Sequence, residues 1–344
     1  MFNPSRLSLA RKRRKLSQKR LAEILGVVPL TITRWERGLT PPSQENITAI
    51  VRYLNYPGEF FAGPDIDEPS SENTSFRSQT TMSAADRDAA LSAGRLGFLI
   101  SDWVSERFTL PDVQIPDLHL YTPEGAAQLL RESWNLGEQP ISNMIHLLEH
   151  KGVRVFSLAE NTTRLNAYSL WRNEIPYVFL NSVKSPECSR FDAAHELAHL
   201  VLHQDGKTHG REAEDQANEF ASAFLMPKSD VLAVLPRAEY IEQILAKKQR
   251  WKVSVAALNY RLHCLGVTSE WKNRELCIQI SKRGYRTKEP NSIEREKSLV
   301  WEKVLRSLWA EQKSIEDIAS ELTLPGEEVS DLLFAPSIAP TFTK

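Results

Sequence analysis

The sequence predicts an α+β chain, mostly helical, built around one small sheet. Three observations predict that class. Ser17 to Gly38 reads as helix, tight turn and second helix; Phe191 to Leu202 reads as an apolar helix free of Pro and Gly; and three short apolar runs separated by turn residues lie between them. The 344 residues divide into a front unit (1–61), a connection (62–90), a central body (91–235), a helical extension (236–290) and a helical tail (291–344).

The front unit is the most cationic part of the chain. Residues 1–40 carry ten Arg or Lys against Glu23 and Glu36, a formal charge of +8 in a chain whose total is −1. Such asymmetry points to a nucleic-acid face. Ser17 is placed to cap the first helix, Gly26 lies in the turn, Pro29 suits the first turn of the second helix and Gly38 ends it. Leu21, Ala22, Leu25, Val27, Ile32 and Trp35 then form the buried seam.

From Pro4 to Phe61 this spacing resembles the Xre family of phage-repressor-like helix-turn-helix domains. The resemblance implies an ion pair between Arg11 and Glu36 that serves the fold. It also places Gln18 and Lys19 at phosphate or the groove edge, and Thr31, Thr33 and Arg34 within reach of bases or backbone. Pro29 and Leu30 depart from the family, which often has polar base-contacting residues there.

Residues 62–90 are rich in Ser, Thr, Asp and Pro and read as a linker or loose connection, although Ser75-Phe-Arg-Ser78 recurs in the fused chains that this one resembles. Helical periodicity returns over 83–107, and further helices are expected at Pro123 to Trp134 and Ile141 to His150. Gly152 to Ser157, Asn166 to Trp171 and Pro176 to Asn181 predict a three-stranded sheet beside the Phe191–Leu202 helix.

That helix contains His195-Glu196-Leu197-Ala198-His199. Residues four apart share a helical face, so two imidazoles can hold one Zn²⁺ while the intervening Glu196 serves as general base toward water. Catalytic zinc takes a third protein ligand. Glu214 is the choice, because Glu214, Ala217, Asn218 and Ala221 share a face of the following helix, where small residues allow close approach. Asn218 is then placed to orient a ligand histidine. Glu212 points elsewhere, and Glu219 lies on the expected solvent side.

The runs around both helices, with Pro140-Ile-Ser-Asn-Met-Ile upstream and Trp251-Lys-Val-Ser-Val downstream, resemble the ImmA/IrrE family of gluzincin-type metallopeptidases from about Tyr121 to Pro290. The resemblance implies that His195, His199 and Glu214 bind zinc and that Glu196 is the base. It also implies a protein substrate, since known relatives cleave DNA-binding repressors. Ala198 stands where the family often has Gly. His203, Tyr168 and Tyr177 are the candidates for an oxyanion donor.

Downstream, Tyr240 to Gln249 and Ser254 to Cys264 resemble a second helix-turn-helix, but Ala256, Ala257 and Leu258 offer bases little, so packing is the expected role. The acidic pattern Ser314 to Leu333 argues against a phosphate-facing surface and reads as a tail that packs on its own chain or a partner. Cys188, Cys264 and Cys277 are odd in number and lack ligand spacing, which fits free thiols in a reducing cytoplasm. Cys188 lies near the site but would compete with a complete ligand set. No signal peptide or membrane-length apolar run is read.

Together these features point to a DNA-binding regulator carrying a zinc endopeptidase that cleaves a repressor or antitoxin. The expected partners are double-stranded DNA at its own operator and a protein substrate, with the chain acting as a homodimer. The alternative is a non-proteolytic regulator or antitoxin, paired with a toxin, whose peptidase fold senses or binds a partner.

Overall fold

The computed structural model describes residues 2–68, 74–78, 83–158, 165–204 and 210–334. Four helices open the chain: α1 (Pro4–Arg13), α2 (Gln18–Leu25), α3 (Pro29–Glu36) and α4 (Gln44–Leu54). The Ser17 hydroxyl accepts the Arg20 N–H, and Gly26 closes α2 at φ 68°, a left-handed conformation costly for a side chain with a Cβ. Leu21, Ala22, Ile32 and Trp35 are buried as the pattern requires, while Leu25 and Val27 are only partly covered. Arg11 grips Glu36 with two bonds of 2.6 and 2.9 Å, a fork-to-carboxylate pair that ties α1 to the end of α3.

The connection that composition marks as loose is packed where it is described. Phe60, Phe61 and Ile66 are buried, Asn3 Nδ2 donates to the Gly63 carbonyl at 2.8 Å, and Arg95 Nη2 donates to the Ile66 carbonyl at 2.7 Å. Residues Thr74–Ser78 then form β1, which contains the Ser75–Ser78 run. Residues 69–73 and 79–82 lie outside the described part. From Ala84 the chain is helical again in α5 (Ala84–Ser105), followed by α6 (Pro123–Ser133) and α7 (Met144–His150). Where it is described, the expected linker at 62–90 is therefore a packed strap, an edge strand and the first turns of α5.

The three expected strands form as β2 (Arg154–Leu158), β3 (Leu165–Arg172) and β4 (Ile175–Asn181), and β1 joins them at the edge. The order is β1-β3-β4-β2, with β1, β3 and β4 antiparallel and β2 parallel to β4. Helix α5 lies close on one face. A Cβ added at Gly94 would come within 2.5 Å of Tyr168 Oη, and one at Gly97 within 2.9 Å of the Phe179 ring. The other face carries α8 (Pro186–Leu202), against which α9 (Gly210–Leu225) packs. Ala217 and Ala221 of α9 are fully buried, which gives the close approach their size permits.

Seven further helices complete the chain: α10 (Lys228–Val234), α11 (Ile241–Trp251), α12 (Val255–Cys264), α13 (Glu270–Lys282), α14 (Leu299–Ala310), α15 (Ile315–Glu321) and α16 (Gly326–Leu332). The helix-turn-helix-like pair α11–α12 serves packing. Its Trp251, Val253, Val255, Leu258 and Leu262 are buried, and Arg261 forks onto Glu124 of α6 at 2.6 and 2.7 Å. The tail packs on its own chain. Trp301 Nε1 donates to the Val155 carbonyl at 2.7 Å, and Glu328 of α16 receives Arg13 at 2.8 Å and Arg14 at 2.6 Å. No helix among the described residues is long and apolar enough to cross a membrane.

Candidate active site

Helix α8 starts on Ser185, whose hydroxyl accepts the Cys188 N–H, and carries Pro186 in its first turn. Ala193, Ala194, Leu197 and Ala198 are fully buried, so the helix runs between the sheet and α9 with its histidines already desolvated. His195 is wholly buried and His199 nearly so. Their Nε2 atoms converge to 3.1 Å, and the Glu214 carboxylate from α9 lies 3.4 Å from His195 Nε2 and 3.5 Å from His199 Nε2. Among the described residues these three form the cluster able to hold a metal ion, all ligand atoms lying within 4.8 Å of one another.

The donor set fits zinc. Tetrahedral ligands at zinc–nitrogen and zinc–oxygen lengths are separated by about 3.3 Å, close to all three of these separations. The outer nitrogens support the same conclusion. His195 Nδ1 lies 3.1 Å from Asn218 Oδ1, an acceptor, so Nδ1 carries the proton and Nε2 presents a lone pair. His199 Nδ1 faces His203 Nδ1 at 2.8 Å, and His203 Nε2 faces Gln216 Oε1 at 3.0 Å. Two imidazole lone pairs and a carboxylate aimed at one point repel unless a cation lies between them.

Glu196 is fully buried on α8, and its Oε2 accepts a 2.6 Å hydrogen bond from Ser169 Oγ of β3. Side chains alternate across a strand, so Ser169 reaches α8 while its neighbour Tyr168 turns to α5. Tyr168 Oη donates to the Ala90 carbonyl at 2.8 Å, and Tyr177 Oη to Ser101 Oγ at 3.1 Å. Both tyrosines thus point to the far side of the sheet and drop out as oxyanion donors, and His203 is engaged between His199 and Gln216. Ser169 and Gln216 escaped the sequence reading, since each acts through a residue on another element. A cleft of about 550 Å³ opens beside the cluster, lined among others by Phe191, Asp192, Asn218, Tyr260 and Tyr285. Cys188 lines that cleft and is not in the ligand cluster.

In the front domain, Lys19 and Arg34 are exposed and Thr31 is partly exposed. Gln18 and Thr33 are joined, with Thr33 Oγ1 donating to Gln18 Oε1 at 3.0 Å and Gln18 Nε2 to Glu36 at 2.7 Å. This network locks the start of α2 against α3 and fixes which side of α3 faces outward.

Fold and site together define a helix-turn-helix domain joined to a body arranged like a metallopeptidase of the His-Glu-x-x-His class. Residues 148–263 match the family model of the IrrE N-terminal-like domain, a peptidase family, and residues 7–61 match that of the helix-turn-helix. The chain is thus a fusion of these two domains. No curated protein matches it.

Proposed function

We propose that this chain is a DNA-binding regulator whose body is a zinc-dependent endopeptidase acting on a repressor or antitoxin protein. The observation that carries the reading is the convergence of His195, His199 and Glu214, with Glu196 fixed beneath by Ser169. When bound, zinc supplies a Lewis acid that polarises a carbonyl and brings deprotonation of water from 15.7 toward about 7. The rest is the work of the chain. The Glu196 carboxylate takes the proton of the attacking water and passes it to the leaving amine, and Ser169 Oγ holds Oε2 through the exchange. Asn218 keeps His195 in the tautomer that presents Nε2, and the buried alanines of α8 and α9 exclude water from the ligand set. The cleft of about 550 Å³ beside Asn218 is the place for the peptide substrate.

The front domain supports the regulatory half of the reading, since its charge and exposed Lys19 and Arg34 suit a phosphate backbone. On a dimer, two α3 helices would read half-sites about 34 Å apart, or multiples of that spacing.

The test is a comparison of cellular proteomes producing wild type or Glu196→Gln. The expected result is one or a few proteins, a DNA-binding repressor or antitoxin among them, cut only with wild type. Identical proteomes under every condition in which the chain is produced would leave a regulator without peptidase activity.

A further inference from the structure

The start of α3 carries an apolar surface that the domain core does not use. Val28 is 63% exposed and Leu30 is 56% exposed, with Pro29 exposed between them. The other helices of this domain begin on Asn3, Ser17 and Ser43, whose side chains cap their first turns. Helix α3 begins on Val28, which caps nothing. A small polar residue there would stabilise the helix, so the domain forgoes stability where it also exposes apolar area.

What surrounds this patch indicates what covers it. Leu30 and Arg34 are one turn apart and share a face of α3. The Gln18–Thr33 bond seats the start of α2 against the middle of α3, which brings exposed Lys19 to the same border. Glu36, the acidic residue of α3, is turned inward and held by Arg11 and Gln18. A cationic rim around an apolar centre is complementary to a polyanion that displays apolar groups between its charges. In the major groove of duplex DNA the apolar group is the C5 methyl of thymine.

We infer that Val28 and Leu30 read thymine methyls, so that this domain selects its site by apolar contact at the start of α3. The inference rests on the DNA-binding half of the proposed function. Arg34, on the same face, supplies the polar contact that flanks the methyls, and Lys19 the phosphate contact.

The test selects duplexes from a random library with the full-length protein, then replaces the selected thymidines by deoxyuridine. That change removes the methyl and leaves every hydrogen-bonding group in place. The expected result is thymine at a fixed position in each half-site, and binding weakened about fourfold per methyl removed, with the salt dependence unchanged. In the Val28→Ser/Leu30→Gln double variant the thymidine and deoxyuridine duplexes should bind alike, and Val28→Ser alone should melt no lower than wild type because serine caps the helix. Equal binding of both duplexes by wild type, or selected sites lacking thymine, would overturn the inference while leaving DNA binding intact. Failure of wild type to retain any duplex at low salt would overturn the DNA-binding reading as well.

Discussion

The Nδ1 atoms of His199 and His203, one helical turn apart at the end of α8, lie 2.8 Å from each other, and only His199 belongs to the ligand cluster. If His199 presents a lone pair at Nε2, its Nδ1–H must donate to His203 Nδ1. His203 then carries its own proton on Nε2 and donates to Gln216 Oε1 at 3.0 Å. The Gln216 amide donates in turn to Glu212 Oε1 at 3.4 Å. Glu212, which points away from the ligand cluster, thus ends a one-way relay that fixes the tautomer of a ligand one helix away.

Breaking this relay should weaken metal binding without removing a ligand. His203→Ala is expected to lower zinc affinity by roughly ten- to a hundredfold, measured by competition with a chromophoric chelator. Glu214→Ala, which deletes a ligand, should lose more, and Gln216→Ala less. Unchanged affinity in His203→Ala would show that His199 keeps its orientation by packing alone.

Glu196 and Ser169 should separate from the ligands in the opposite sense. Glu196→Gln is expected to keep one zinc and a native melt while cleavage falls by on the order of a hundredfold or more. Ser169→Ala removes only the hydrogen bond that steadies the carboxylate, so it should also keep zinc and lose less activity. Loss of metal in Glu196→Gln would make Glu196 a ligand and remove its assignment as base.

What the sequence made legible was chemistry written into local spacing. The His-Glu-x-x-His pentad and Glu214 need only helix periodicity to be placed on facing surfaces, and α2 and α3 announce themselves through Ser17, Gly26 and Pro29. Strand β1 stayed hidden because an edge strand in a Ser- and Thr-rich segment resembles a loop. Ser169 stayed hidden because its role depends on which strand face meets α8, a tertiary fact. The tail was legible in sign but not in use. Its acidity argued against phosphate, and the structure spends Glu328 on Arg13 and Arg14, two of the cations counted toward the DNA face.

That clasp ties the front domain to the tail, with Glu328 almost fully buried between the two guanidiniums and 3.5 Å from Tyr56 Oη. Removing one partner of a buried pair leaves uncompensated charge, so Glu328→Ala should cost on the order of 3 kcal/mol, seen as a lower urea midpoint. A midpoint equal to that of wild type would mean that water readily replaces the carboxylate at this seam.

Glu149 joins the body to the tail through a carboxylate that burial pushes up to about 7 from its ordinary 4.5. It accepts the Ser298 hydroxyl and the Leu299 and Val300 N–H groups at the start of α14, and these bonds, with the charge of Lys303, oppose the burial without cancelling it. The folded state therefore holds a proton on Glu149 over a range in which the unfolded chain has released it. Below about 4.5 both states are protonated and the group imposes no ionisation penalty. As pH rises from about 4.5 to 7, stability falls by up to about 3 kcal/mol, and above 7 the loss is constant. Glu149→Gln cannot ionise, so the stability of wild type minus that of the variant should decline across this window and level off above it. Urea melts at closely spaced pH values measure that difference, in which the other titrating groups cancel. A difference independent of pH would place the Glu149 pKa at its unfolded value and show that water reaches the start of α14.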